Sequence, residues 1–66
     1  MEITVNGEKR HCDGPLTLLG LLETLGLRPG SVALERNRAV VPRKEMDRQV
    51  LREGDEIEII RLVGGG

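Results

Sequence analysis

The chain has 66 residues, 38% of them hydrophobic, which provides one small core and excludes a second domain. Ten basic and eleven acidic residues give a net charge of −1, and no residue is aromatic. Binding of nucleic acid through bulk positive charge or base stacking is therefore not expected. The single cysteine excludes an internal disulfide, the first residues lack a basic and apolar leader, and the apolar runs are too short to span a membrane. We expect a cytoplasmic protein.

The first twelve residues predict a β-hairpin. Ile3 and Val5 alternate with polar residues, and Asn6-Gly7 is a strong signal for a two-residue turn. In this register Val5 pairs with Glu8 and Ile3 pairs with Arg10, on the side of the sheet that faces the core. An arginine on that side has to extend past the edge of the sheet to reach water.

Residues 17–25 predict a helix, because leucines recur there at helical spacing. Thr17 is the expected N-cap, and Gly26 stands where a left-handed residue ends a helix. Gly20 occupies the position at which a capping box would have Glu or Gln. We therefore expect this helix to depend on packing against the sheet.

The second half of the chain predicts three strands, at residues 32–35, 39–41 and 56–62. The first two are joined by a tight connection, and a polar segment around Met46 predicts a surface turn before Val50 and Leu51 return to the core. The element order is then ββαβββ in an α+β fold, with the helix packed on one face of a sheet of four to five strands.

The last predicted strand has apolar residues on both of its faces. Ile57 and Ile59 are expected to face the helix, which places Ile60 and Leu62 on the outer face. An isolated domain normally has polar residues there, so these two residues are candidates for docking on a partner. Scattered exposure of single apolar residues, or a register shifted by one residue, is the alternative.

The chain closes with a glycine tail, Gly64 to Gly66, after a predicted domain of residues 1–63. Without side chains, a flexible tail can extend and pass through a channel too narrow for other residues. Its reactive group is the carboxylate of Gly66, which becomes an electrophile only after activation, most simply as an acyl-adenylate made from ATP. A sulfur or amine nucleophile can then attack the acyl carbon. A frayed end without function is the alternative.

Four segments of the chain together carry a resemblance to a known family. They are Ile3-Thr4-Val5-Asn6-Gly7, Thr17 followed by Leu21-Leu22, Gly54-Asp55 before Ile57-Glu58-Ile59, and Val63-Gly64-Gly65-Gly66. Each is weak alone, but their order and spacing cover essentially the whole chain. Together they resemble the ThiS family of thiamin-pathway sulfur carriers. Gly20 departs from the family pattern, in which an acidic or polar residue is commoner.

The resemblance implies a ubiquitin-like β-grasp fold with a mixed sheet, and a carrier that is not an enzyme. It implies that Gly66 is adenylated by an E1-like enzyme and converted to a thiocarboxylate, while Gly64 and Gly65 thread into the partners. The sulfur would come from a cysteine desulfurase or a rhodanese-type donor. Thiazole synthase would accept it to form the thiazole of thiamin. No bound cofactor or metal is implied, and the partner uses the ATP.

Three alternatives to this function remain open on the sequence. The small subunit of molybdopterin synthase shares the fold and the glycine end, although it is usually longer and richer in aromatic residues. A protein modifier joined to lysines of its targets would use the same activated carboxyl group. A β-grasp binding module would dock through Ile60 and Leu62 and would not need its glycines.

Two further features have ordinary structural interpretations. His11-Cys12-Asp13 resembles part of a metal or nucleophile site, but strand neighbours face opposite sides, so we expect His11 on the surface and Cys12 in the core or at an edge. Basic residues between 36 and 52 precede acidic residues between 53 and 58. We expect a solvated surface there, with steering of a partner as the alternative.

Overall fold

The computed structural model describes residues 1–63, so the predicted tail of Gly64, Gly65 and Gly66 lies outside the described residues. Its elements follow the predicted order ββαβββ, with a short 3-10 helix on either side of the β3 and β4 pair. The elements are β1 (Glu2–Val5), β2 (Glu8–His11), α1 (Leu18–Thr24), the 3-10 helix Pro29–Ser31, β3 (Val32–Arg36), β4 (Ala39–Val40), the 3-10 helix Arg43–Glu45 and β5 (Glu56–Arg61).

The five strands form one mixed sheet in the order β2-β1-β5-β3-β4. β5 is the longest strand and lies at the centre, parallel to β1 and antiparallel to β3. The helix covers one face of this sheet, and Leu18, Leu21 and Leu22 are buried against it. This is the β-grasp arrangement that the resemblance predicts.

The first hairpin has the predicted register, with Val5 opposite Glu8 and Ile3 opposite Arg10. Its turn residues Asn6 and Gly7 have φ angles of 50° and 82°, as a type I′ turn requires. Ile3 is buried, whereas Arg10 is exposed. The arginine is tolerated on the core side because β2 is the edge strand, so that its charged end reaches water.

The helix begins and ends where the sequence predicts. The hydroxyl of Thr17 accepts a hydrogen bond of 3.0 Å from the backbone N–H of Gly20, and Gly26 follows the helix with a φ of 73°. A Cβ at position 20 would lie 2.8 Å from Cδ1 of Leu16. A side chain at position 20 would therefore require the end of the Leu16 side chain to move, and the helix starts without a capping box.

The prediction for residues 50 and 51 is half wrong. Leu51 is buried, but Val50 is 46% exposed. Val50 forms an isolated antiparallel bridge with Thr17, and in extended backbone neighbouring side chains point to opposite sides. Only one of the two residues can therefore enter the core, which also contains Met46.

Among residues 1–63, no helix is long and apolar enough to cross a membrane.

Candidate functional site

β5 presents opposite faces to the core and to the solvent, as predicted. Ile57 and Ile59 are 1% and 9% exposed on the helix side, whereas Ile60 and Leu62 are each 50% exposed on the other side. Ala33 of β3 lies opposite Ile60. We call Ala33, Ile60 and Leu62 the outer-face patch. The structure thus confirms that Ile60 and Leu62 are accessible, while their role in docking stays a prediction.

An acidic pair borders the outer-face patch. Glu35 and Glu58 are directly opposite each other on β3 and β5, and both point to the outer face. Like charges in this position repel each other. Neither glutamate forms an ion pair with another described residue. A partner that brought basic side chains beside apolar ones would relieve this repulsion and cover the patch.

The other end of β5 is fixed by the carboxylate of Asp55, which is 6% exposed. It forms an ion pair of 2.7 Å with Arg36, accepts a 2.8 Å hydrogen bond from the N–H of Arg52, and accepts another of 3.1 Å from the amide of Asn37. Burial alone would raise the pKa of Asp55. The hydrogen bonds and the charge of Arg36 outweigh it and lower this pKa below the ordinary value.

Two turn asparagines also hold β5. Asn6 accepts a 2.7 Å hydrogen bond from the N–H of Ile59 and donates one of 3.3 Å to the carbonyl oxygen of the same residue. Asn37 accepts a 2.9 Å hydrogen bond from the N–H of Glu56. The sequence predicts Asn6 only as a turn residue, and it predicts neither contact with β5. The position of both asparagines directly after a strand is a weak signal, because the partner strand is distant in the sequence.

The last described residues lead away from the sheet. The N–H of Leu62 donates to the carbonyl oxygen of Ser31 at 3.0 Å, and Val63 is 97% exposed. Gly64, Gly65 and Gly66 come next and lie outside the described residues. Their predicted roles in threading and in carrying the activated carboxyl group are therefore not tested by the structure.

His11 and Cys12 occupy the predicted positions. Cys12 is buried in the core, and His11 is exposed. The imidazole lies between two carboxylates, 2.9 Å from Asp13 and 3.1 Å from Glu2, and the hydrogen bonds that these carboxylates accept, first that of Asp13 and then that of Glu2, raise the pKa of His11. Within residues 1–63, no three His, Cys, Asp or Glu side chains are arranged to hold a metal ion.

Comparison with known proteins identifies the family of this chain. The sequence profile of the ThiS family matches residues 3–66. The chain belongs to the ThiS family. It is 32% identical to the sulfur carrier protein ThiS of Escherichia coli K12, and the match covers all of both chains. The crystal structure of the thiamine biosynthesis protein ThiS from Geobacter metallireducens superposes with a TM-score of 0.85 at 33% identity, again over all of both chains.

Two longer proteins also match. The chain is 47% identical to a protein of Magnetococcus marinus named thiazole synthase and 36% identical to one of Paramagnetospirillum magneticum with the same name. All 66 residues are aligned in each case, and they span 20% of the length of each longer protein. A segment similar to a ThiS chain therefore occurs within a larger polypeptide.

These matches settle the family and the fold. The ThiS resemblance seen in the sequence is confirmed, and so is the β-grasp fold, with a five-stranded mixed sheet and one helix. ThiS proteins are named as sulfur carriers and as thiamine biosynthesis proteins among these relatives.

Proposed function

We propose that this chain carries sulfur as a thiocarboxylate on Gly66 and delivers it for the formation of the thiamin thiazole. The observation that carries the proposal is the match to the ThiS family, which runs through Gly64 and Gly65 to Gly66. The geometry of β5 agrees with this role, because the strand is braced at Asp55 and leads outward at Val63.

The chemistry requires two steps at the carboxyl carbon of Gly66. The carboxylate attacks the α-phosphorus of ATP and displaces pyrophosphate, which gives an acyl-adenylate. A persulfide sulfur of the donor protein then attacks the acyl carbon and expels AMP. A thiol cleaves the persulfide S–S bond by forming a disulfide with the donor's sulfur, which leaves sulfur in place of one carboxyl oxygen. Glycine suits both steps because nothing hinders the acyl carbon and partners can grip the backbone on either side.

The partners supply the catalysis, so we assign no catalytic residue to this chain. An E1-like enzyme would form the adenylate, and a cysteine desulfurase or a rhodanese-type protein would provide the sulfur. Thiazole synthase would receive it. The similarity of this chain to a segment of two proteins named thiazole synthase supports that last association.

We propose that the outer-face patch is the surface on which a partner docks. Ile60 and Leu62 are exposed beside the root of the tail, so a partner that covers them is positioned to receive Gly66. The acidic pair of Glu35 and Glu58 favours a partner with basic side chains around an apolar centre.

A cytoplasmic location agrees with the single cysteine, which is unpaired in the core.

Intact-mass spectrometry tests the carrier chemistry. The chain is incubated with ATP, a cognate adenylating enzyme, a desulfurase and cysteine, beside a variant that lacks Gly66. We expect a mass increase equal to the exchange of one oxygen for one sulfur in the full chain and none in the variant. No increase with an adenylating enzyme that is active on another carrier would refute the proposal and favour a binding module.

A further inference from the structure

A groove of about 770 Å³ lies on the helix side of the sheet, on the face opposite to the outer-face patch. Its floor is formed by the end of β1 and the segment after α1, through the half-buried side chains of Val5, Leu25 and Leu27. These residues pack against the core but are not fully covered. The groove therefore offers apolar surface that the domain itself leaves partly open.

Cationic side chains border this floor. Arg10 of β2 and Arg61 of β5 line the groove together with one carboxylate, that of Glu8. Lys9 also lines it, but Lys9 alternates with Arg10 along β2, so its side chain points to the outer face. Neither arginine forms an ion pair with a described residue. Arg10 and Arg61 lie on the same side of the sheet as the buried residues Ile3 and Ile59, so their charges border apolar surface. The groove thus complements a ligand that is both apolar and acidic.

β2 adds an open backbone edge to the groove. It is the outermost strand of the sheet, and it pairs with β1 alone. Cys12 donates its N–H to the carbonyl oxygen of Met1 at 2.8 Å, so by antiparallel alternation the backbone groups of Lys9 and His11 point away from β1. No described backbone or side-chain group bonds to them. A strand can be added at such an edge.

We propose that this groove binds an extended segment of a partner protein that contains both apolar and acidic residues. The segment pairs with the edge of β2, places its apolar side chains on Leu25 and Leu27, and sets its carboxylates against Arg10 and Arg61. This surface lies on the face of the sheet opposite to the outer-face patch, so one carrier can hold a partner on either face. Its occupation does not depend on the sulfur chemistry.

The probe for this proposal is a synthetic peptide of four alternating valines and isoleucines followed by three aspartates. Its binding to the isotope-labelled full chain is followed by the shifts of backbone amide signals in two-dimensional NMR. We expect saturable shifts at residues 8–11 and 25–27, and we expect the affinity to fall as salt is added. A chain lacking Gly66 should bind the peptide equally, which separates this test from that of the carrier role.

Charge-reversed variants and altered peptides test which contacts bind the segment. Arg10→Glu combined with Arg61→Glu should weaken binding by about tenfold or more, whereas Arg48→Glu, an exposed arginine away from the groove, should change it less than about twofold. A peptide with lysines in place of the aspartates should not bind. Methylation of alternate peptide nitrogens removes the backbone donors and should cost about tenfold.

Four results would overturn the proposal. They are equal binding of the lysine peptide, equal binding of the methylated peptide, shifts centred on Ala33, Ile60 and Leu62, and absence of saturable shifts. Pairing of β2 with β2 of a second copy would also contradict it, and sedimentation at increasing concentration would reveal such a dimer.

Discussion

The two ends of β5 are built in opposite ways. At its start, Asp55 is buried in an ion pair with Arg36, and the N–H of Glu56 is held by Asn37. At its end, Ile60 and Leu62 are half exposed, and one backbone hydrogen bond from Leu62 to Ser31 is the last that the described residues make. The same strand is therefore held by polar contacts at its start, and it exposes apolar side chains at its end.

This contrast shows how a domain with a small core can hold one end of a strand by polar contacts and leave apolar side chains exposed at the other end. Polar groups hold the start of β5 by hydrogen bonds that need no additional apolar volume. The side chains at its end are then free to contact a partner, because they are not required for the core. Under the proposed function, stability and docking depend on different residues of one strand, and substitutions can separate them.

The largest effect is expected from Asp55→Ala. The substitution leaves the guanidinium of Arg36 partly buried without its carboxylate, which costs about 3 kcal/mol in the free energy of unfolding. A domain of this size is stabilised by roughly 3–10 kcal/mol, so a large fraction is lost. Urea unfolding measures the effect, with the exposed Asp47→Ala as control. Equal stability of the two variants would show that the start of β5 is not anchored by this carboxylate.

A smaller effect is expected from Asn6→Gly. Glycine accepts the φ of 50° at this position, so the substitution removes the two hydrogen bonds to Ile59 without straining the turn. We expect a loss of about 1–2 kcal/mol in the free energy of unfolding and faster hydrogen exchange of the Ile59 amide. Unchanged exchange of this amide would mean that the side chain of Asn6 does not support β5.

Substitution of the outer-face patch should separate stability from docking. Ile60→Thr with Leu62→Thr should change the free energy of unfolding by less than about 1 kcal/mol, because both side chains are already half exposed. Binding to the adenylating enzyme or to thiazole synthase should weaken by about tenfold, as titration calorimetry can measure. Val40→Thr is the matched control, since Val40 is 72% exposed on β4. Unchanged binding of the double variant would remove the patch from the docking surface.

The smallest changes in the free energy of unfolding are expected from changes in pH. Asp55 and His11 contribute to them in opposite directions. The pKa of Asp55 is lowered, so its contribution to stability is complete above the ordinary carboxyl pKa and is lost as the pH falls through the lowered value. The pKa of His11 is raised, so its contribution is complete below the ordinary value of 6.5 and is lost as the pH rises through the raised one. His11→Gln should abolish the slight loss of stability above pH 6.5, which urea unfolding measures. It should leave the loss of stability at acidic pH unchanged. If that variant still lost as much stability above pH 6.5 as the unsubstituted chain, the loss would be due to another group.

Much of the fold is predictable because local signals agree with tertiary packing. Asn6-Gly7 fixes the hairpin register, and alternation along residues 57–62 identifies the buried face of β5. Val50 was assigned to the core wrongly, because its direction depends on a single bridge to Thr17 and not on local propensity.

The contacts that brace β5 were not predictable in the same way. Arg36 and Asp55 belong to two successive groups of charged residues that indicate only a solvated surface, and their pairing depends on the position of β3 beside β5. Asn6 binds Ile59 for a similar reason, since β1 and β5 are neighbours in the sheet but distant in sequence. For the candidate site, Ile60 and Leu62 were identified as exposed, while the acidic pair of Glu35 and Glu58 required the register.

Hydrogen exchange along β5, with and without a bound adenylating enzyme, tests the central contrast most directly. In the free chain, we expect the amides of Ile57 and Ile59 to exchange slowly and that of Leu62 to exchange faster. The enzyme should add protection at residues 60–63 and leave Glu56 to Ile59 unchanged. Protection that fell on the start of β5 while residues 60–63 stayed as in the free chain would contradict the account.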